Sequence, residues 1–166
     1  GHDRLHIDIG ASSAEEAKKL VKLGDYVVFD TEPELFGDDC VCSKALDDRV
    51  GCLALISALE GTYDCDFTAV FTVQEEVGLR GAASMAYALD PGFAMVLEGT
   101  TAADLAEVEG GKAVCRVRGG VVLPFMDGAT IYDAELFELL RNACDKRGIR
   151  WQTKTRVAGG TDAGRI

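Results

Sequence analysis

Asp66-Phe67-Thr68-Ala69-Val70-Phe71-Thr72-Val73-Gln74-Glu75-Glu76-Val77-Gly78 begins as an apolar run and stops abruptly at two adjacent carboxylates. Residues 66–71 are rich in β-branched and aromatic types, which predicts a buried strand. After Gly78, residues 79–89 read as a helix. A strand with acids at its C-terminal end, a glycine turn and a helix is how an α/β protein builds a site at the rim of its sheet. Adjacent strand residues point to opposite sides. Glu75 and Glu76 therefore need not do the same job, since one can hold a metal while its neighbour handles a proton. Taken alone, Glu-Glu is better explained as a solvated turn.

The pattern recurs along the chain. Phe93-Ala94-Met95-Val96-Leu97 predicts a second buried strand, and it too ends in an acid, Glu98. Residues 50–59 are apolar nearly all round and predict a buried helix, ended by Gly61. Just before it stand Asp47 and Asp48. An N-cap explains one aspartate there, but not two in tandem followed by Arg49.

The remaining segments follow the same alternation. Residues 5–10, 25–30, 112–118 and 150–157 predict strands, and 121–126 a further strand or extended piece. Ser13-Ala14-Glu15-Glu16 is a capping box that opens a helix to about Leu23, ended by Gly24. Residues 31–39 form an acidic loop, and Gly110-Gly111 a turn. Asp133 caps a helix to about Lys146, with Leu136, Phe137, Leu139, Leu140 and Ala143 facing inward and Gly148 ending it. Gly159-Gly160-Thr161-Asp162-Ala163-Gly164 is a glycine-rich loop on the way into a helix.

Alternating strands and helices imply an α/β sandwich with a mostly parallel sheet. The C-terminal strand ends of such a sheet share one rim, which would gather Asp47, Glu75, Glu76 and Glu98. Clustered carboxylates repel one another, so a positive partner is expected. Two divalent metals about 3.5–4 Å apart can share a carboxylate, polarise a carbonyl and activate a water. An unligated Glu can then move the proton.

Bulk properties agree. At 166 residues and 17.7 kDa the chain suits one domain or a fragment of a larger one, and 48% hydrophobic content is enough for a core. The 28 acids outnumber the 17 bases, giving a formal charge of -11. That argues against nucleic acid or an anionic membrane as partner. No apolar run spans a bilayer and no signal peptide is legible at the start, so the expected compartment is the cytoplasm. Cys40, Cys42, Cys52, Cys65, Cys115 and Cys144 lack zinc-knuckle spacing and are expected to be mostly buried thiols.

Three motifs, in this order, carry a resemblance. They are Lys44-Ala45-Leu46-Asp47-Asp48-Arg49-Val50-Gly51, Gln74-Glu75-Glu76-Val77-Gly78-Leu79-Arg80-Gly81-Ala82 and Gly159-Gly160-Thr161-Asp162-Ala163. They resemble the M42 family of di-metal aminopeptidases, the glutamyl aminopeptidase and tetrahedral TET peptidase group. Residues 7–13 and Met126-Asp127-Gly128 look like that family too. The resemblance implies a zinc-peptidase (phosphorylase/hydrolase-like) α/β fold. It implies that residues 1–30 close an inserted β-rich, PA-like domain and lead back into a partial catalytic domain at 31–166.

By the same resemblance, Asp47 would bridge two metals, with Asp48 behind it and a cis peptide between them. Glu75 would be the general base and acid. Glu76 would be a terminal ligand of one metal and Glu98 of the other, where the family commonly has Asp. Asp162 would support the site without ligating. The metals would be zinc or cobalt, the substrates short peptides, and the full-length protein a homo-oligomer. The family's complete site also uses two histidines. This chain has only His2 and His6, neither in a ligand motif, so it resembles a middle piece of the enzyme. As it stands it is expected to be inactive, with a weak site that holds, if anything, a hard ion such as Mg²⁺ or Ca²⁺. Two other readings fit the acids: a non-catalytic scaffold subunit of the same fold, or a glycosidase (endoglucanase) working through a carboxylate pair without metal.

Overall fold

The computed structural model describes residues 4–108 and 112–166. His2 and the turn expected at Gly110-Gly111 lie outside the described residues. The chain forms two compact units, Gly1–Lys44 and Ala45–Ile166.

In the first unit, helix α1 covers Ala14–Leu20. The capping box forms with a small offset. Ser13 Oγ accepts from the Glu16 N–H at 3.2 Å, while the Glu16 carboxylate accepts from Ser12 N–H, not from Ser13, at 2.9 Å. The helix ends at Leu20, three residues before the expected end. Gly24 keeps a left-handed φ of 94° in the turn beyond. The loop expected at 31–39 contains a hairpin instead. Strand β1 (Glu34–Phe36) pairs antiparallel with β2 (Cys40–Cys42), Leu35 opposite Val41. The signal was present in Gly37-Asp38-Asp39: Gly37 and Asp39 both adopt positive φ, which glycine and aspartate tolerate better than most residues.

In the second unit, helix α2 spans Leu46–Leu59, α3 Arg80–Leu89 and α4 Ala134–Arg147. Asp133 accepts from the Leu136 N–H at 2.8 Å, and Gly148 closes α4 at φ 65°. Strands β3 (Val121–Val122) and β4 (Trp151–Gln152) pair in parallel. Around them Leu123, Phe137 and Cys144 form a small core, joined by Leu140 and Trp151. Of the inward face expected for α4, Leu139 and Ala143 are exposed. The helix expected after Gly160 is one 3₁₀ turn, Asp162–Arg165.

The secondary structure is α/β, but the broad parallel sheet differs from expectation. Among the described residues, segments 5–10, 25–30, 66–71, 93–97 and 112–118 carry no strand ladder. The reason is cover. Parallel pairing is sustained by layers on both faces, whereas Phe71 is 48% exposed and Phe93 64%. Helix α2 is uncovered for the same reason. Its apolar residues run all round, yet only Gly51 is buried. The cysteines also correct an expectation. Cys115 and Cys144 are buried, but Cys42, Cys52 and Cys65 are exposed and Cys40 is half-buried. Among the described residues no disulfide forms and no helix is long and apolar enough to cross a membrane.

Candidate metal centre

Four acids from three segments line one open cleft of about 350 Å³: Asp47, Glu75, Glu76 and Glu98. Gly99, Thr100 and Thr101 continue the wall, and Gly159, Gly160 and Thr161 close it from the glycine-rich loop.

The tandem aspartates separate their roles at the start of α2. Neither has helical backbone angles, and the peptide between them is cis. Asp48 takes the capping role. Its Oδ1 accepts from the Gly51 N–H at 3.1 Å, satisfying an orphan donor of the first turn. It also accepts from the Gly99 N–H at 3.0 Å, which ties the helix start to the turn after Glu98. Asp47 is left over. A Cβ at Gly99 would lie 3.1 Å from its Oδ1, so the two segments meet closely.

Glu75 and Glu76 are fixed by their own turn. Gly78 and Leu79 N–H both donate to the Glu75 carbonyl, at 3.0 and 2.8 Å, and the Gly81 N–H donates to Val73 at 3.1 Å. Gln74 and Leu79 take left-handed φ values of 60° and 57° to make the reversal. Gly81 has no space for a side chain, because a Cβ there would come within 2.5 Å of the Val73 carbonyl oxygen.

The glycine-rich loop brings in Asp162, which is 6% exposed. Its Oδ2 accepts from Thr72 Oγ1 at 2.5 Å, three residues before Glu75. Its backbone N–H lies on the side of the Glu98 carboxylate and favours the ionised form of that acid. Its Oδ1 is buried without a partner.

Charge crowding follows from this convergence. Burial first, and then the nearby carboxylates of Glu75, Asp48 and Asp47, push the Glu98 acid up to about 7 against the Asp162 N–H. Burial also raises Glu75, reinforced by Glu76, Asp162, Asp47 and Asp48. Among the described residues, Lys154 is the basic residue on the cleft wall, and its Nζ donates to the Ala158 carbonyl at 3.0 Å.

These acids fit a divalent cation by donor chemistry. Asp47, Asp48 and Glu98 each offer an oxygen, and these oxygens lie within 4.8 Å of one another. Hard oxygen donors of like charge are what Mg²⁺, Ca²⁺ or a zinc-type ion neutralises. The unit Ala45–Ile166 contains no histidine. Of the residues singled out in sequence, Asp47 and Glu98 meet in the tight group, together with Asp48. Glu75 and Glu76 line the same cleft, and Asp162 stands behind it. Lys154, Thr100 and Thr101 had no legible signal, since each reads as an ordinary polar residue in an extended segment.

The M42 glutamyl aminopeptidase family matches residues 1–166. The chain belongs to that family. A relative from Acetivibrio thermocellus is 38% identical over 165 residues, 98% of this chain and 49% of its own. An aminopeptidase from the archaeon Desulfurococcus kamchatkensis superposes with a TM-score of 0.86 at 37% identity, covering 96% of this chain and 46% of that one. The Pyrococcus horikoshii TET1 peptidase, which can assemble into a tetrahedron or a large octahedral shell, gives 0.71 at 33% identity, over 96% of this chain and 48% of its own. The chain thus spans about half the length of these M42 relatives.

Proposed function

We propose that this chain carries the acid half of a metal-dependent aminopeptidase that releases N-terminal residues from short peptides. The observation that supports this most is the meeting of Asp47, Glu75, Glu76 and Glu98 in one cleft. Asp47, Glu76 and Glu98 would hold two divalent ions, zinc or cobalt, with Asp48 and Asp162 in support. When bound, such ions supply Lewis acidity toward a peptide carbonyl and favour a deprotonated water.

The chain's own part is proton transfer and placement. Glu75 takes a proton from the attacking water and delivers it to the leaving amine. Glu75 lines the same cleft as Asp47, Glu76 and Glu98, which puts it within reach of a water held there. Asp48 spends Oδ1 on backbone N–H groups and so fixes Asp47 beside the Glu98 turn.

The kinship extends to the rest of the chain. The segments without ladders are strands of a mostly parallel sheet in the longer protein. Residues 1–30 close an inserted β-rich domain, and 31–166 are part of the catalytic one. Without histidines in the cleft-bearing unit, the 166 residues alone are inactive. The longer protein is a homo-oligomer, a reading supported by the kinship with the TET1 peptidase, which can assemble into a tetrahedron or a large octahedral shell.

The test uses the full-length protein with aminoacyl-nitroanilides and added Co²⁺ or Zn²⁺. Wild type should turn over, and Glu75→Gln should lose on the order of 10²–10⁴ in kcat. Equal rates would remove Glu75 as the base. Glucan hydrolysis that survives EDTA would replace the peptidase reading with the carboxylate-pair one.

A further inference from the structure

Asp127 has no part in the scheme above, yet it is the most buried acid described, at 2% exposure. An acid so placed needs partners, and it has four. Oδ1 accepts from the N–H groups of Ala129 and Thr130, each at 2.7 Å. Oδ2 accepts from the Tyr132 hydroxyl at 2.5 Å and from Thr161 Oγ1 at 3.3 Å. The first pair closes the local turn. The second pair reaches beyond it, and Thr161 belongs to the cleft wall.

A backbone link runs alongside. Gly128 N–H donates to the Gly159 carbonyl at 2.7 Å, and a Cβ at Gly128 would sit 2.7 Å from that same oxygen. Two connections therefore clamp the turn at 127–130 to the segment at 159–162. Gly159 and Gly160 contribute no side-chain packing, so this segment is held by its ends: the clamp on one side and, on the other, the 3₁₀ turn that packs against α3. Immediately past Thr161 comes Asp162, whose Oδ2 accepts from Thr72 Oγ1 and whose backbone N–H lies on the side of the Glu98 carboxylate. Burial tends to raise the Asp127 acid, but the bonds from Tyr132, Ala129, Thr130 and Thr161 outweigh it and hold the group below its ordinary value. It therefore acts as an ionised acceptor, the stronger kind.

We propose that Asp127 is a positioning residue of the acid cluster, acting through Thr161 to hold Asp162 against Glu98 and Thr72. The inference rests on the reading that Asp47, Glu76 and Glu98 hold cations. A plain turn-former would need only Oδ1; the Oδ2 bond to Thr161 is what that simpler role leaves unexplained.

Calorimetric titration of the full-length protein with Co²⁺, without peptide, tests it. Unfolding midpoints are measured on the same samples. Thr161→Val removes the link, together with the Thr161 Oγ1 contacts to the Tyr132 hydroxyl and the Ala163 N–H, each at 3.3 Å, but leaves the Asp127 turn and the Tyr132–Asp127 bond intact, so Asp127→Asn is the variant that isolates the Asp127 path. It should weaken Co²⁺ binding about 10–100-fold at a nearly unchanged midpoint, while Thr161→Ser stays within about twofold of wild type. Asp127→Asn should fall in the same range, and the double variant should fall no further than the worse single, because both cut one path. Thr161→Val binding like wild type overturns the proposal, and so does Thr161→Ser failing as Val does. A wild type that holds no Co²⁺ removes the cation reading and this inference together. A wild type that holds Co²⁺ beside folded variants that hold it equally well removes the inference alone.

Discussion

Glu98 carries the heaviest share of the crowding in the cleft. Its acid moves from an ordinary value of 4.5 to about 7, first through burial and then through its carboxylate neighbours. The sign of the effect on stability follows. Between those pH values the folded state keeps a proton that the unfolded chain has released, so stability is fullest below pH 4.5 and is lost as pH rises through about 7. Glu75 is shifted the same way and adds to the trend. Asp127, held below its ordinary value, acts in the opposite sense, but only in more acid solution. Urea midpoints at pH 5 and pH 8, without divalent ions, should therefore fall for wild type. For Glu98→Gln the fall should be smaller by about 1 kcal/mol, a figure discounted for partial exposure. Equal slopes would mean that Glu98 titrates like a solvated acid. The convergence behind this crowding was legible in sequence only as recurrence, with acids ending two apolar runs and preceding a third. Asp48 shows why a cap rule alone falls short. The rule correctly leaves one aspartate over, but only the bonds to Gly51 and Gly99 show that the spare one is Asp47.

The helices were readable and the sheet was not, for a physical reason. Helix ends are written in local chemistry: Ser13 and Asp133 bond the amides three residues on, and Gly148 turns the chain at positive φ. A ladder depends on partners distant in sequence and on covered faces, and those are what segments 66–71 and 93–97 lack here. The hairpin of β1 and β2 was missed because its acidic turn outweighed its short apolar flanks. Helix α2 offers a test at this scale. Gly51 lies beneath the Asp48 carboxylate and 2.5 Å, measured from a hypothetical Cβ, from the Leu97 carbonyl oxygen. Gly51→Ala must push the Asp48 side chain or the Glu98 turn outward. Overpacking of that kind costs about 1–3 kcal/mol, far from the gain a glycine-to-alanine change gives in an open helix. Thermal unfolding of the variant checks the sign. A stabilised Gly51→Ala would show that α2 and the Glu98 turn are not in contact.

At the scale of the whole molecule, the formal charge of -11 offers a rival to any account based on a site. A strongly acidic chain gains stability from salt in general, since screening relieves repulsion at every surface carboxylate. A bound divalent ion differs in two ways: it acts at low concentration, and it depends on particular residues. Binding at about 100 times Kd should add about 2.7 kcal/mol to unfolding, where sodium chloride at matched ionic strength adds only the screening part. Asp47 is the residue to remove, because backbone amides hold Asp48 Oδ1 and leave only its Oδ2 for an ion, while Asp47 lines the cleft. Titrating MgCl₂ and CoCl₂ against NaCl at fixed ionic strength, and following the unfolding midpoint, should show a divalent-specific rise for wild type and none for Asp47→Asn. If sodium matches the divalent salts, charge density alone accounts for the stabilisation. If Asp47→Asn keeps the full rise, the ion sits elsewhere among the 28 acids, and the convergence of Asp47 with Glu98 would then have an architectural meaning rather than a chemical one.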